Sequence, residues 1–87
     1  MLALRAAKVD ANQPEIVDAL RKAGATVDIV ALKPYDLVVG VRGRVYLLEI
    51  KTKSGKLRDS QKAFRKEWRG HYAIVMSAEQ ALRECAL

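Results

Sequence analysis

One cysteine is all this chain has, and Cys85 alone cannot close an internal disulfide. The expectation is a reduced, cytosolic protein in which that thiol packs as a small apolar group. Proline and glycine are scarce too, two and five of 87 residues, which excludes a collagenous or linker-like chain. No apolar run approaches the ~20 residues that a membrane-spanning helix needs. The opening MLALRAAK is too short and too soon charged to serve as a secretory signal. Repeats, low-complexity tracts and linkers are also missing. Residues 1–87 are therefore expected to form one domain, near the lower size limit for a single core.

The residues that are present have a globular balance, 51% hydrophobic and 30% charged. Sixteen Lys and Arg against ten Asp and Glu leave a net charge of +6. That excess suits a polyanionic partner such as nucleic acid, although many small domains are basic for solubility alone.

The stretch NQPEIVDALRKAGA reads as a helix. Asn12 can cap it, Pro14 falls in its first turn, and Glu15 stands three residues after Asn12 as in a capping box. Ile16, Val17, Leu20 and Ala23 give an apolar face, and Gly24 closes the helix. TVDIVAL is a β-branched strand interrupted at Lys33-Pro34-Tyr35. DLVVGV and RVYLLEIK follow as two strands joined through Arg42-Gly43, where glycine can take the positive φ of a tight hairpin. DSQKAFRKEW sets Phe64, Trp68 and Gln61 on one side of a second helix. HYAIVM is a fourth strand, and SAEQALRECA a short closing helix capped by Ser77. The second helix links the third and fourth strands, a connection open to a parallel pairing. The expected fold is α/β, a small mixed sheet with helices packed on both faces.

The strand pair DLVVGVRGRVYLLEIK is apolar on both faces, yet it begins with Asp36 and ends with Glu49 and Lys51. Alternation points Glu49 and Lys51 to the same side. A two-residue loop at Arg42-Gly43 pairs Val41 with Arg44 and, counting outward, sets Asp36 opposite Glu49. A one-residue bulge at Gly43 would separate the two acids instead. Opposed carboxylates repel unless one is protonated or a cation lies between them, and a hard divalent ion fits such a gap. Three isolated charges of this kind read more simply as an ion-pair cluster at the sheet's rim. Their interruption of a buried pattern favours a functional reading.

These residues carry a resemblance. D-x(12)-E-I-K followed by S-G-K-L-x-x-x-Q is similar to the PD-(D/E)XK nuclease superfamily, and more narrowly to the VRR-NUC family of phage and bacterial proteins. The likeness extends from about Val9 to Leu82 and includes VDANQPEI, DLVVG, LLEIKT, SGKL with Gln61, and W-R-G-x-Y-x-I-V-M-S-A-E-Q-A-L. It implies the α-β-β-β-α-β core of the restriction-endonuclease-like fold, here followed by a short C-terminal helix. It also implies metal-dependent hydrolysis of DNA phosphodiesters with Mg²⁺ or Mn²⁺. Asp36 and Glu49 would then be metal-binding carboxylates, Lys51 the motif lysine, the Ile50 carbonyl an inner-shell oxygen and Gln61 the helix glutamine. Glu15 matches a first-helix glutamate that contacts a second metal directly or through water; as a capping-box acid it needs no metal at all. The motif usually has proline immediately before the aspartate, whereas this chain has Tyr35 there and Pro34 one position earlier.

Lys51 is expected to orient the attacking water and offset oxyanion charge, since neighbouring carboxylates oppose the lowered pKa that a base would need. Lys53, Lys56, Arg58, Lys62, Arg65 and Lys66 are the cations expected to grip the DNA backbone. Phe64 and Trp68 read as core, and His71 as structural. The resemblance further implies a homodimer acting on branched DNA, including four-way (Holliday) junctions, in the cytoplasm of a bacterial or phage-infected cell. Neither a membrane nor a small-molecule cofactor is expected. A non-catalytic DNA-binding module with the same fold is the main alternative, and a small RNA-binding or toxin-like protein the second.

Overall fold

Seven elements follow one another as α1 (Gln13–Lys22), β1 (Thr26–Ile29), β2 (Leu37–Val41), β3 (Arg44–Ile50), α2 (Asp59–Glu67), β4 (Tyr72–Val75) and α3 (Ala78–Glu84). The computed structural model describes residues 12–30, 34–52 and 57–87. The last part of the expected first strand, residues 31 and 32, lies outside the described residues, as do Lys53 and Lys56. The strands form one mixed sheet in the order β1-β2-β3-β4, antiparallel for the first two pairs and parallel for β3–β4. The α/β class and the parallel pair across α2 are therefore as the sequence leads one to expect. Among the described residues no helix is long and apolar enough to cross a membrane.

The β2–β3 hairpin fixes the register on which the site depends. Arg42 and Gly43 both take positive φ, 53° and 75°, the left-handed pair that a two-residue primed turn requires. Val41 pairs with Arg44, and the ladder continues without a bulge to Leu37 opposite Leu48. Pairing ends there: Asp36 lies in a bend with its N–H on the Leu48 carbonyl, so the regular ladder expected to set it directly opposite Glu49 stops one residue short, although its charge still reaches Glu49. Arg42 is an unusual residue for this backbone conformation. Its guanidinium donates to the carbonyls of Ala86 and Cys85, tying the turn to the end of α3.

Alternation along β3 divides the sheet into two unlike faces. Tyr46, Leu48 and Ile50 turn to the face covered by α1 and α3, where they meet Ile16, Val17, Leu20, Ala81 and Cys85. Ile16, Leu20, Leu48 and Ile50 are fully buried there, and each such side chain contributes roughly 1.5–3 kcal/mol relative to exposure. Cys85 is likewise buried, and burial pushes its thiol up to about 11. Leu47 and Glu49 turn the other way, toward α2.

The helix ends reward closer reading. Gly24, with φ 104°, follows the last turn of α1, and Ala25 and Gly24 donate to the carbonyls of Leu20 and Arg21. This paired closure is the Schellman arrangement, for which glycine is suited. Ser77 caps α3 as expected, its Oγ accepting from the Gln80 N–H at 3.1 Å. The start of α1 differs from expectation. Asn12 has helical backbone angles and forms no side-chain cap; its amide instead donates to the Met76 carbonyl at 2.8 Å. No capping box forms there, so that reason for Glu15 falls away. Ala23 is exposed, because the helix ends at Lys22 and Ala23 lies beyond the last turn that faces the sheet.

Candidate functional site

Glu49 lies near the end of β3, on the α2 side of the sheet, and is only 2% exposed. One carboxylate oxygen, Oε2, stands 3.4 Å from the Lys51 ammonium, and the other, Oε1, is buried with no hydrogen-bond partner. Burial raises its pKa most, the charge of Asp36 raises it further, and Lys51 and Gln61 oppose the shift. The result is a carboxyl group pushed up to about 7. Such a group is anionic at neutral pH only in part, and a cation beside it would favour the charged form.

Asp36 sits at the bend that leads into β2. Its N–H donates to Leu48 and its carbonyl accepts from Val30, both at 2.8 Å, so the residue is stitched to strands on either side. Its Oδ2 accepts the Ile50 N–H at 2.7 Å. A main-chain oxygen of the opposite strand would fill that place in a regular ladder. The chain bends away over residues 34–36, and the side chain supplies the acceptor instead. Asp36 thus has a structural duty that the sequence pattern did not disclose. The same bond shows that the Ile50 main chain faces the Asp36 edge, and a strand residue's C=O points to the same edge as its N–H.

Gln61 enters from the first turn of α2 and is fully buried. Its Oε1 accepts the Arg58 N–H at 2.8 Å, the helix-side half of a capping box. That commitment fixes which way the amide faces. Nε2 is left buried with no hydrogen bond of good geometry, yet close enough to Glu49 to favour its anion. Sequence spacing placed Gln61 toward the sheet, and it is there.

An aromatic group holds α2 in place. Phe64 lies at 5.5 Å from Tyr35, 5.2 Å from Trp68 and 5.1 Å from Tyr72, measured between ring centres. Trp68, expected in the core, keeps 43% of its surface exposed. It lies just past the last residue of the helix, stacked on Phe64 rather than beneath it. His71, exposed just before β4, lies edge-on to Tyr46 at 4.5 Å and 3.9 Å from the Glu84 carboxylate.

Tyr72 is the site neighbour that sequence reasoning missed. Burial and the charge of Glu49 push its phenol up to about 12, with Asp36 adding to the effect and Arg65 opposing it. Its hydroxyl donates to the Pro34 carbonyl at 3.3 Å. The signal was present in the alternation of HYAIVM: a parallel partner for β3 puts Tyr72 beside Leu47, on the face that Glu49 shares.

Asp36, Glu49, the Ile50 main chain, Lys51 and Gln61 therefore come together. Glu15 does not join them. It is exposed on α1, and among the described residues no three His, Cys, Asp or Glu side chains converge. Arg58, Lys62, Arg65 and Lys66 are exposed on or beside α2, and Arg65 is the one whose charge reaches Tyr72. Two carboxylates and a main-chain oxygen form an oxygen-only donor set, which suits a hard cation such as Mg²⁺ or Mn²⁺. The buried, unpartnered Glu49 Oε1 is the observation that makes this fit physical.

The chain was compared with family models, with curated proteins and with solved structures, and none of them matches it.

Proposed function

We propose that this protein is a Mg²⁺- or Mn²⁺-dependent deoxyribonuclease of the VRR-NUC type within the PD-(D/E)XK superfamily. The observation that carries the reading is the buried Glu49 carboxylate, one oxygen unpartnered, set against Asp36 with Lys51 and Gln61 turned toward it. A buried carboxylate with one oxygen unpartnered is costly, and a bound cation would offset that cost.

The reaction is addition of water across one P–O bond of the DNA backbone. A divalent ion held by Asp36, Glu49 and the Ile50 carbonyl would acidify water and neutralise charge on the phosphate. Lys51, its ammonium 3.4 Å from Glu49, would orient the incoming water and offset the charge that builds on the phosphate. Gln61, its Oε1 held by the Arg58 N–H, leaves its Nε2 near Glu49, where it would favour that carboxylate's anion. Arg65, whose charge reaches Tyr72, would meet the phosphates flanking the cut, with Arg58, Lys62 and Lys66 on or beside α2 extending the contact. Lys53 and Lys56, outside the described residues, are expected from the sequence to add to it. Contacts of this kind position DNA without reading sequence.

One such site cuts one strand, so two copies about a two-fold axis address a duplex or a branched junction. A cytoplasmic homodimer acting on four-way junctions is the form of this reading that we favour.

The test is incubation with linear, nicked and four-way-junction DNA in Mg²⁺, Mn²⁺ or EDTA. Products that require the metal and vanish in Lys51→Ala support the nuclease. A mobility shift without products, indifferent to EDTA, would make the chain a non-catalytic DNA-binding module instead. Sedimentation at micromolar concentration decides the dimer: a monomer removes that part of the reading.

A further inference from the structure

The bend that delivers Asp36 spans residues 34–36, and main-chain bonds from Asp36 to Leu48 and from Val30 to Asp36 hold its far end. Two side chains reach it. The Tyr35 ring packs on Phe64 of α2, and the Tyr72 hydroxyl, from β4, donates to the Pro34 carbonyl across 38 positions of sequence. The Tyr72 ring meets Phe64 as well, edge to face at 5.1 Å. Tyr72 thus contacts both the Asp36 bend and the helix that bears Gln61.

We propose that Tyr72 is a positioning residue for the cation site: its hydroxyl clamps the 34–36 bend so that the Asp36 carboxylate stays on the Ile50 N–H, next to Glu49 along β3. The proposal rests on the functional reading above for its cation, but its mechanical part concerns this chain alone. The clamp acts on the peptide two residues before Asp36. The Asp36 carboxylate in turn closes the ladder on the Ile50 N–H at 2.7 Å. Loosening the bend therefore frees that N–H before it disturbs any bond nearer the hairpin turn. The phenol remains a donor at all ordinary pH values, because its burial beside Glu49 keeps it protonated.

The test is Tyr72→Phe, which keeps the ring on Phe64 and removes only the hydroxyl. Amide hydrogen exchange is read at Ile50 and, as an internal control in the same hairpin, at Leu48. Loss of one hydrogen bond corresponds to roughly a fivefold change in a local opening equilibrium. The expected result is roughly fivefold faster exchange at Ile50 with Leu48 unchanged, accompanied by weaker Mn²⁺ binding in calorimetry. Unchanged exchange at Ile50 would overturn the proposal. Equal acceleration at both amides would also overturn it, since the hydroxyl would then serve global stability only. If the wild-type protein takes up no Mn²⁺, the nuclease reading fails, and the Ile50 amide still decides the role of Tyr72.

Discussion

The two faces of the sheet are built from the same strands and obey different rules. On the α1/α3 face, aliphatic side chains from five elements fill one core, with Ile16, Leu20, Leu37, Leu48, Ile50 and Val75 all fully buried. On the α2 face the cover is aromatic, and Glu49 and Gln61 each keep a buried polar atom without a hydrogen-bond partner. Both residues flanking Glu49 in β3 belong to the first face, so adjacent peptides serve opposite purposes. A chain this small has little stability to spare, and an acid buried on one face is tolerable because the other face is fully packed.

The sharpest way to break that comparison is to change charge on one face without changing shape. Asp36→Asn keeps an oxygen for the Ile50 N–H and removes the negative charge. Cleavage is expected to fall by roughly a thousandfold or more, with the thermal midpoint nearly unmoved. Alanine is a poorer probe here, because it would also leave the Ile50 N–H without its acceptor. Full cleavage by the asparagine variant would remove Asp36 from the site. Leu48→Ala makes the converse cut. It should cost about 2–5 kcal/mol in a urea melt, while the fraction that remains folded binds Mn²⁺ as the wild type does. Weakened cation binding in that folded fraction would mean that the faces are not independent.

How far this division could be read beforehand depends on the range of the forces involved. The hairpin was fully legible, since Arg42-Gly43 sets the loop and the loop sets the register, all within sixteen consecutive residues. Counting outward set Asp36 directly opposite Glu49, but the ladder stops at Leu37 and Asp36 stands in the bend before it, near enough for its charge to act on Glu49. Gln61 was legible from helical spacing against Phe64. The capping of α1 was not, because Asn12 spends its amide on Met76, 64 positions away, and no local pattern encodes that contact. Tyr72's place beside Leu47 could be read from alternation once β4 pairs parallel with β3, but its bond to Pro34, 38 positions away, could not. The hydrogen bond from Ile50 to the Asp36 side chain was invisible as well, since it exists only because the chain bends before β2.

Glu49 also makes the comparison depend on pH. Its folded pKa of about 7 stands above the ordinary 4.5, so the folded state holds a proton that the unfolded chain releases. The contribution to stability is therefore fully present below pH 4.5 and is lost as pH rises through about 7. Without metal, Glu49→Gln should then be more stable than wild type at pH 8 by about 1–3 kcal/mol, and the gain should vanish near pH 4. If Glu49 holds the proposed cation, affinity should run in the opposite direction: Mn²⁺ binding is expected to weaken as pH falls below about 7, because the proton and the ion would compete for one carboxylate. A flat affinity between pH 5.5 and 8 would separate Glu49 from the cation.

The smallest effect tests whether the packed face can be improved without touching the other. Ala86 follows α3 with φ 57°, and its N–H and that of Leu87 return to the Arg83 and Leu82 carbonyls, the closure that Gly24 gives α1. An alanine in that conformation costs about 1–2 kcal/mol relative to ordinary backbone, partly offset because glycine is freer in the unfolded chain. Ala86→Gly should therefore raise stability by about 0.5–1 kcal/mol. The main-chain carbonyl that Arg42 grips is retained, so the hairpin and the acids at its far end should not shift. A higher thermal midpoint with unchanged Mn²⁺ affinity would confirm that stability on one face and cation binding on the other can be adjusted separately. A change in affinity would instead show that the Arg42 tie carries the state of α3 into the hairpin.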